Sequence, residues 1–259
     1  MNILERKMLD ALTELKEKYN VYGIKAEFEA EGTRTEDLIK LQYVVAKAGL
    51  KICMKIGGCE AVRDIDQCKL FNINAVMAPM IESAFAMKKF IGACNKVYNA
   101  EGQYDKVDKV VNLETINAFH CMDEIFETGK GFLDSVVVGR VDFSASLGLS
   151  RSEINSDIVL DYTRKVCAKA KEYGYISSFG GGVSAEVVPF VEAMKDVLDR
   201  FETRKVIFPI EDIGNKPELA INKAVEFEYY YLKNKFDYYY GMASEDATRL
   251  KMLEERMDK

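Results

Sequence analysis

The amino-acid sequence predicts an α/β protein, a (β/α)₈ barrel with additional helices towards its C-terminus. Three observations predict this class. Short apolar runs alternate with amphipathic helical segments, seven such runs are recognisable, and the chain has 259 residues, which is about the size of one such barrel. An open, doubly wound sheet would also satisfy the alternation, but the length and the number of runs favour the closed barrel.

Seven runs are predicted to be strands, because each is short and apolar and is bounded by glycine or polar residues. They are 21–29, 50–56, 75–80, 110–114, 134–139, 176–179 and 205–210. No eighth run is evident. We therefore expect an atypical or missing first strand, with a helix over 1–19 in its place, or a further strand within 102–109.

Helical periodicity predicts a helix in each of several segments between the strands. Each predicted helix begins with Ser, Thr or an acidic residue. These helices are 35–48, 82–94, 115–126, 152–173 and 184–198. Residues 1–216 are thus predicted to form the barrel domain. Residues 217–259 are predicted to form a helical extension, a pair of helices.

The extension contains two tyrosine clusters, at 229–231 and 238–240. Tyrosine covers a large apolar area and keeps a polar tip. We therefore expect the extension to pack on the barrel or on a neighbouring subunit. A platform for a carbohydrate or another ligand is the alternative.

Charge and composition argue against several classes of partner. The chain has 36 Lys and Arg against 42 Asp and Glu, a net charge of −6, and no basic block, so neither nucleic acid nor a membrane is expected as a partner. No stretch approaches 18 apolar residues and the first residues lack an apolar signal-peptide core. The six cysteines are scattered without a C-x-x-C pair. We expect a cytoplasmic protein with reduced thiols.

Polar residues and glycines end the predicted strands, where a barrel carries its active site. They are Glu27, Glu29, Glu31 and Arg34, then Lys55, Glu114, Gly139 and Asp142, then Gly180, Gly181 and Gly182, and finally Pro209 with Glu211. Glu114 and Asp142 follow different strands, and two carboxylates that meet would hold Mg²⁺ or Mn²⁺ with positions free for substrate oxygens. Alternatively, both only lie in first helical turns, where the helix dipole favours anions.

Four segments carry motifs of a known family: M-K-I-G-G at 54–58, V-M-A-P-M-I-E-S-A at 76–84, N-L-E-T-I-N-A-F at 112–119 and V-G-R-V-D-F-S-A-S-L-G at 138–148. From about residue 23 to 208 the chain resembles the HpcH/HpaI aldolase and citrate lyase beta-subunit family. The resemblance implies a barrel enzyme that makes or breaks the C–C bond beside the enolate of pyruvate, oxaloacetate or an acyl-CoA, with Mg²⁺ or another divalent cation. It implies that Glu114 and Asp142 are the metal ligands, that the substrate is a small 2-oxo acid, and that the protein is a homo-oligomer, a trimer or hexamer.

Two positions depart from the family pattern. Lys55 stands where the family places an arginine that binds pyruvate and stabilises the enolate. Lysine keeps the positive charge but lacks the two-pronged donor, which Arg34 or Arg140 could supply instead. Gly32 stands where aldolase members have a histidine.

The missing histidine leaves other groups as the base, namely Glu29, Glu31 or a metal-bound water. The only histidine, His120, lies within a predicted helix, and we expect it to be structural. The substrate carboxylate is expected to bind amides at the start of a helix, those of Gly139, Arg140, Val141 and Asp142. Gly181 and Gly182 are expected to hold a phosphate or a second carboxylate, the alternative being a tight turn without a ligand.

The sequence therefore predicts a metal-dependent carbon–carbon lyase of the aldolase type. A citrate-lyase-like enzyme that acts on a thioester is one alternative. A non-catalytic barrel that retains the metal site is another. A metal-free aldolase that forms a Schiff base at Lys55 or Lys25 is the third.

Overall fold

Eight strands close into a barrel within residues 1–98, 106–211, 213–214 and 216–258, the part of the chain that the computed structural model describes. The strands are β1 (Gly23–Glu27), β2 (Lys51–Lys55), β3 (Ala75–Ala78), β4 (Asp108–Leu113), β5 (Ser135–Gly139), β6 (Ile176–Gly180), β7 (Arg200–Glu202) and β8 (Val206–Pro209). The helices are α1 (Ile3–Tyr19), α2 (Thr35–Ala48), α3 (Val62–Leu70), α4 (Ala84–Tyr98), α5 (Ile116–His120), α6 (Met122–Gly129), α7 (Arg140–Ser146), α8 (Asp157–Glu172), α9 (Val188–Met194) and α10 (Pro217–Met257). Short 3₁₀ turns cover Arg151–Glu153 and Ala185–Val187.

All seven predicted strands are present, and the strand that the sequence did not predict is β7. Its three residues follow α9 closely and are too few to show an alternating pattern. The expectation of a missing first strand is wrong, because β1 pairs in parallel with β2 over its five residues and α1 lies before it. Of the segment 102–109, the last two residues belong to β4, and residues 102–105 lie outside the described part of the chain.

Strand β8 runs in the opposite direction to both of its neighbours. It pairs antiparallel with β7 and with β1, whereas the pairs from β1–β2 to β6–β7 are parallel. Pro209, at the C-terminal end of β8, therefore lies opposite Arg200, at the N-terminal end of β7. The expectation that Pro209 ends a strand at the site is wrong, and the turn 203–205 lies at that end instead.

The barrel interior contains an apolar layer, and a charged layer follows it where the parallel strands end. Because side chains alternate along a strand, Ile24 and Ala26 of β1 pack in the outer core, while Lys25 and Glu27 face the interior. The apolar layer is formed by Cys53, Ala75, Met77, Val110, Val137 and Ile207. The charged layer includes Lys25, Glu27, Lys55, Glu114 and Glu202. The fold thus concentrates buried charges where the parallel strands end.

The C-terminal extension is a single helix of 41 residues, α10, rather than the expected pair. Its first half packs on α1 and the barrel through Pro217, Ala220, Ile221, Ala224, Phe227 and Tyr231. The hydroxyl of Tyr239 lies 3.1 Å from carboxylate oxygens of Glu36 and Asp37, so this tyrosine packs on the barrel at α2. From residue 241 to 258 every residue is exposed.

Within the described residues, none of the helices combines the length and the apolar character that crossing a bilayer requires.

Candidate active site

A cavity of about 750 Å³ opens at the end of the barrel where the parallel strands terminate. Helix α10 forms one wall of it through Glu228, Tyr231, Leu232 and Lys235. The charged residues that line the cavity are Lys25, Lys55, Arg151, Arg204 and Lys235, together with Glu27, Glu31, Glu114, Asp142, Glu202 and Glu228. The cavity therefore contains cations and carboxylates in nearly equal number.

Glu114 follows β4 and is only 1% exposed. The N–H of Met80 donates to its Oε1 at 3.1 Å, Nδ2 of Asn112 donates to its Oε2 at 3.0 Å, and Nζ of Lys55 lies 3.7 Å from Oε1. Burial raises the pKa of Glu114, although Lys55 and the two hydrogen bonds favour the ionised form. Met80 has a φ of 51°, which is uncommon for residues other than glycine and tends to occur at functional sites. The fold thus holds a poorly solvated carboxylate that would gain from a bound cation.

Asp142 lines the same cavity from the first turn of α7, where it is exposed. Its negative charge raises the pKa of Glu114 further. Among the described residues it has neither a hydrogen bond nor an ion pair through its carboxylate. Gly139 allows Glu114 to approach, since a Cβ there would lie 2.2 Å from Oε2 of Glu114. Two carboxylates therefore reach one cavity, and that of Asp142 has no partner in the part of the chain that the structure describes.

These side chains suit a divalent cation. Mg²⁺ usually takes one or two carboxylates and completes its shell with water and substrate oxygens. Glu114 and Asp142 supply the carboxylates, and Oδ1 of Asn112 is a buried oxygen that lacks a hydrogen-bond partner within the described chain. Among the described residues, no group of three His, Cys, Asp or Glu side chains is arranged to hold a metal ion by itself. Water and substrate would therefore have to supply the remaining ligands.

Of the two predicted bases, only Glu31 reaches the cavity. Its Oε1 lies 3.1 Å from Nε of Arg204, and its Oε2 pairs with the buried ammonium of Lys205. Glu29 is exposed beside Gly57 and does not line the cavity. The prediction that Glu29 acts at the site is therefore not supported by its position.

Neither predicted arginine supplies a two-pronged donor to the cavity. The guanidinium of Arg34 lies 4.5 Å from the ring centre of Tyr239 on α10 and does not line the cavity. Arg140 is completely buried, and its guanidinium donates to the carbonyl oxygens of Gly180 at 3.2 Å and Gly181 at 2.8 Å. Burial lowers the pKa of Arg140 to about 9. Both expectations for these side chains are wrong, because tertiary contacts occupy them elsewhere.

The other predicted binding residues line the cavity, namely Lys55, Gly139, Val141, Asp142, Gly181 and Gly182. Gly180 precedes two of them, and a Cβ there would lie 2.9 Å from Oε1 of Glu202. His120 is exposed at the end of α5 and does not line the cavity. This position agrees with a role outside the chemistry.

Glu202, at the C-terminal end of β7, is one of the cavity residues that sequence reasoning missed, together with Arg151, Arg204, Glu228 and Lys235. It is 2% exposed, and its Oε1 accepts a hydrogen bond from Nζ of Lys25 at 2.5 Å. Oε1 of Glu27 lies 3.9 Å from the same ammonium. Burial alone would lower the pKa of Lys25, but the two carboxylates outweigh it and raise the pKa. The one signal in the sequence was the short pattern R-F-E at 200–202, which a loop could equally carry.

Comparisons with known proteins agree with this architecture. A family model described as HpcH/HpaI aldolase/citrate lyase matches residues 37–187. An HpcH/HpaI aldolase from Desulfitobacterium hafniense has 14% sequence identity and a TM-score of 0.64, over 78% of this chain and 82% of that chain. An HpcH/HpaI aldolase/citrate lyase family protein from Burkholderia cenocepacia has 16% identity and a TM-score of 0.58, over 78% and 93%.

A variant of the citrate synthase SbnG is also similar in structure, with 13% identity and a TM-score of 0.57 over 76% of this chain and 81% of that chain. At these identities the three structures show a shared fold. No curated protein matches the sequence.

Proposed function

The chain belongs to the HpcH/HpaI aldolase/citrate lyase family, and from this premise we propose that it is a metal-dependent carbon–carbon lyase. It would cleave or form the bond next to the enolate of a 2-oxo acid such as pyruvate. The observation that carries the proposal is the buried carboxylate of Glu114, with Lys55 at 3.7 Å and, in the same cavity, Asp142, which has no partner among the described residues. Two such carboxylates would hold a divalent cation, and that cation together with Lys55 would suit a substrate that develops negative charge.

A divalent cation, Mg²⁺ or Mn²⁺, would be held by Glu114 and Asp142 and would act as a Lewis acid towards the keto and carboxylate oxygens of the substrate. Lys55 adds a positive charge next to Glu114, which favours the oxygen on which enolate charge develops. Because an ammonium is a point charge, Lys55 orients a carboxylate less rigidly than an arginine would. The backbone of Val141 and Asp142 at the start of α7 is the proposed contact for the substrate carboxylate.

Proton transfer requires a base that reaches the cavity, and we assign it to Glu31. Arg204 and Lys205 hold its carboxylate in place, so the group is positioned by the fold rather than by the substrate. In the cleavage direction such a base takes the proton from the hydroxyl group next to the breaking bond. In the synthesis direction it takes a proton from the methyl group of pyruvate.

Exchange of the pyruvate methyl protons with D₂O, followed by NMR, tests the proposal without knowledge of the second substrate. We expect exchange with Mg²⁺ or Mn²⁺ and none after treatment with EDTA. Exchange that persists in EDTA would contradict metal dependence and point to a Schiff base. No exchange with any divalent ion would contradict the pyruvate enolate and favour a thioester substrate or a non-catalytic barrel.

The geometry at Lys25 opposes the Schiff-base alternative. A nucleophilic lysine must be neutral, which requires a lowered pKa. The carboxylates of Glu202 and Glu27 raise the pKa of Lys25 instead, so its amine stays protonated. Lys55 is then the remaining lysine that could form a Schiff base, and the exchange experiment with EDTA decides whether it does.

We further propose a cytoplasmic, homo-oligomeric enzyme, a trimer or a hexamer. The support for the location is that the six cysteines are free, as is usual in a reducing compartment, and the support for the oligomer is an apolar stripe on α10 that the single chain leaves exposed.

A further inference from the structure

The cavity is much larger than a three-carbon 2-oxo acid requires. Its volume of about 750 Å³ lies in the range of pockets that hold drug-sized ligands, about 300 to 1,000 Å³. Glu114, Lys55 and Asp142 account for the part near the ends of β2, β4 and β5. The remaining space extends over the loop after β6 and the 3₁₀ turn Arg151–Glu153, so a second reactant has room there.

Arg151 is the charged residue of this second region. It is exposed and lines the cavity. The other cavity cations have carboxylate partners: Lys25 with Glu202, Lys55 with Glu114, Arg204 with Glu31, and Lys235 with Asp37. Arg151 has no ion pair or hydrogen bond through its side chain within the described residues. A guanidinium without an acid of its own is free to bind an anion from solution.

Backbone donors lie in the same region. Gly181, Gly182 and Val183 line the cavity, and within the described chain none of their N–H groups donates to a backbone or side-chain acceptor. Gly181 and Gly182 have φ values of 85° and 61°, a backbone conformation that favours glycine. Free N–H groups in such a turn form a concave site for anions.

The turn with Arg151 is ordered by a hydrogen bond of its own, by a hydrogen bond from α7 and by a contact with this loop. The N–H of Ser150 donates to Oε2 of Glu153 at 2.9 Å, which closes the 3₁₀ turn. Nη1 of Arg140 donates to Oδ1 of Asn155 at 2.8 Å. The loops touch at Gly182, where a Cβ would lie 2.3 Å from Cδ1 of Ile154. The backbone that carries Arg151 is therefore ordered before a ligand binds, which reduces the entropy lost on binding.

We propose that Arg151 and the amides of Gly181–Val183 form an anion subsite that selects a second reactant with a carboxylate or phosphate group. This inference rests on the proposed function, because the reactant is the aldehyde that the pyruvate enolate attacks. A bond forms between the methyl carbon of pyruvate, which loses a proton, and the aldehyde carbon, whose oxygen gains one. The anion of the aldehyde lies on Arg151, away from the reacting carbon.

Binding of inorganic phosphate, measured by calorimetry, tests the subsite separately from catalysis. We expect Arg151→Gln to weaken binding by about 10-fold or more and Arg151→Lys to restore part of it. The matched control is Arg249→Gln, in the exposed half of α10, which should bind as the unmodified protein does. Equal binding by the unmodified protein and Arg151→Gln would overturn the subsite, even if pyruvate exchange shows that the enzyme is active.

Two aldehyde pairs then identify the group that is recognised: pentanal with its ω-carboxylate, and glyceraldehyde with its phosphate ester. We expect one charged member to have a kcat/KM at least about 10-fold above its neutral partner, and Arg151→Gln to abolish that ratio. The pair that responds distinguishes a carboxylate from a phosphate. A ratio near one in both pairs, or a ratio that survives Arg151→Gln, would overturn the selection. If pyruvate does not exchange but Arg151-dependent phosphate binding is found, the proposed function fails and the anion subsite stands.

Discussion

At the scale of single residues, the candidate site depends on a carboxylate that the fold holds in poor contact with water. Glu114 is surrounded by strand ends, and among the described residues Met80, Asn112 and Lys55 compensate for its lost hydration. Burial of a carboxylate costs free energy, because the charged group loses its hydration. A residue with only a structural role would avoid this cost at an exposed position. The arrangement is useful for a residue that must bind a cation.

Glu114→Gln removes the negative charge and keeps the size of the side chain. We expect the metal-dependent exchange of pyruvate protons to slow by about 100-fold or more, since a group that stabilises developing charge is lost. The NMR exchange assay gives the rate, and circular dichroism verifies the fold. Glu29→Gln is the control, because Glu29 lies outside the cavity. Unchanged exchange in Glu114→Gln would contradict the assignment of the metal ligand.

Gly139→Ala tests how closely β5 must approach Glu114. The added methyl group would lie 2.2 Å from Oε2 and 2.9 Å from Cβ of Glu114, so the carboxylate must move. A displacement of about 1 Å in an active site is expected to slow exchange by about 100-fold.

The control for this substitution is Gly92→Ala in α4, where a Cβ meets no atom within 4 Å. Alanine in a helix is favoured over glycine by about 0.5 to 1 kcal/mol, so this variant should be slightly more stable and fully active. Equal activity of the two variants would show that Gly139 does not restrict Glu114.

At the scale of secondary-structure elements, the short hairpin of β7 and β8 completes the barrel. It reverses the direction of the last strand, so β8 meets β1 in antiparallel orientation. Glu202 of β7 and Lys25 of β1 form a buried ion pair near this closure. The pair joins residues that are 177 positions apart in the chain.

Glu202→Gln leaves the ammonium of Lys25 buried without its main partner. Breaking a buried pair by removal of one charge usually destabilises a protein by about 3 to 5 kcal/mol. We expect urea unfolding to show a loss of this size. Asp196→Asn, which breaks an exposed pair with Arg164, should have little effect, because solvent screens such pairs. Similar losses in the two variants would contradict the importance of burial.

Helix α10 carries two carboxyl groups whose pKa values shift in opposite directions. Burial raises the pKa of Glu228 above its ordinary value of 4.5, whereas hydrogen bonds from Lys223 and Tyr230 lower the pKa of Glu226. A raised pKa stabilises the folded state below pH 4.5, and this contribution is lost as pH rises through the raised value. A lowered pKa does the reverse, since its contribution is present above pH 4.5 and is lost as pH falls.

We therefore expect opposite pH profiles for two conservative variants. The melting temperature of Glu228→Gln relative to the unmodified protein should rise as pH increases from 4.5 to neutral. That of Glu226→Gln should fall as pH rises towards 4.5 from below, because the favourable charge that forms there in the unmodified protein is missing. Scanning calorimetry at several pH values measures both. Parallel profiles would contradict the assigned environments.

At the scale of the whole molecule, α10 connects the cavity with a surface that the single chain leaves uncovered. Its first half closes one wall of the site and packs on α1, whereas residues 241–258 are exposed throughout. Apolar side chains recur every three or four residues on its exposed side, namely Val225, Tyr229, Leu232, Phe236 and Tyr240. A continuous apolar stripe of this kind usually contacts another chain.

The oligomer prediction concerns this stripe. Light scattering after size-exclusion chromatography should give the mass of a trimer or hexamer for the full chain. Tyr229→Asp combined with Phe236→Asp places two charges on the stripe and should give a smaller or weaker assembly, because charged residues are depleted at the core of subunit interfaces. A chain that ends at residue 240 retains the stripe and is the control: it should keep its assembly and its melting temperature, since the removed residues make no buried contacts. A monomer at micromolar concentration for the full chain would contradict the prediction.

The sequence by itself determined the α/β class, seven of the strands and the motifs around Glu114 and Asp142. Local periodicity specifies which segments are strands, and parallel strands bring their ends to one edge. It did not determine β7, whose three residues carry no periodic signal, nor the reversal of β8, and with them it missed Glu202.

Only the tertiary structure decided which polar side chains face the cavity. Arg34 and Arg140 stand next to strand ends in sequence, yet a ring of α10 and the carbonyl groups after β6 hold their guanidinium groups elsewhere. Conversely, Glu228 and Lys235 reach the cavity from a helix near the end of the chain. Such contacts join residues far apart in sequence and depend on packing and desolvation, which a local pattern does not contain.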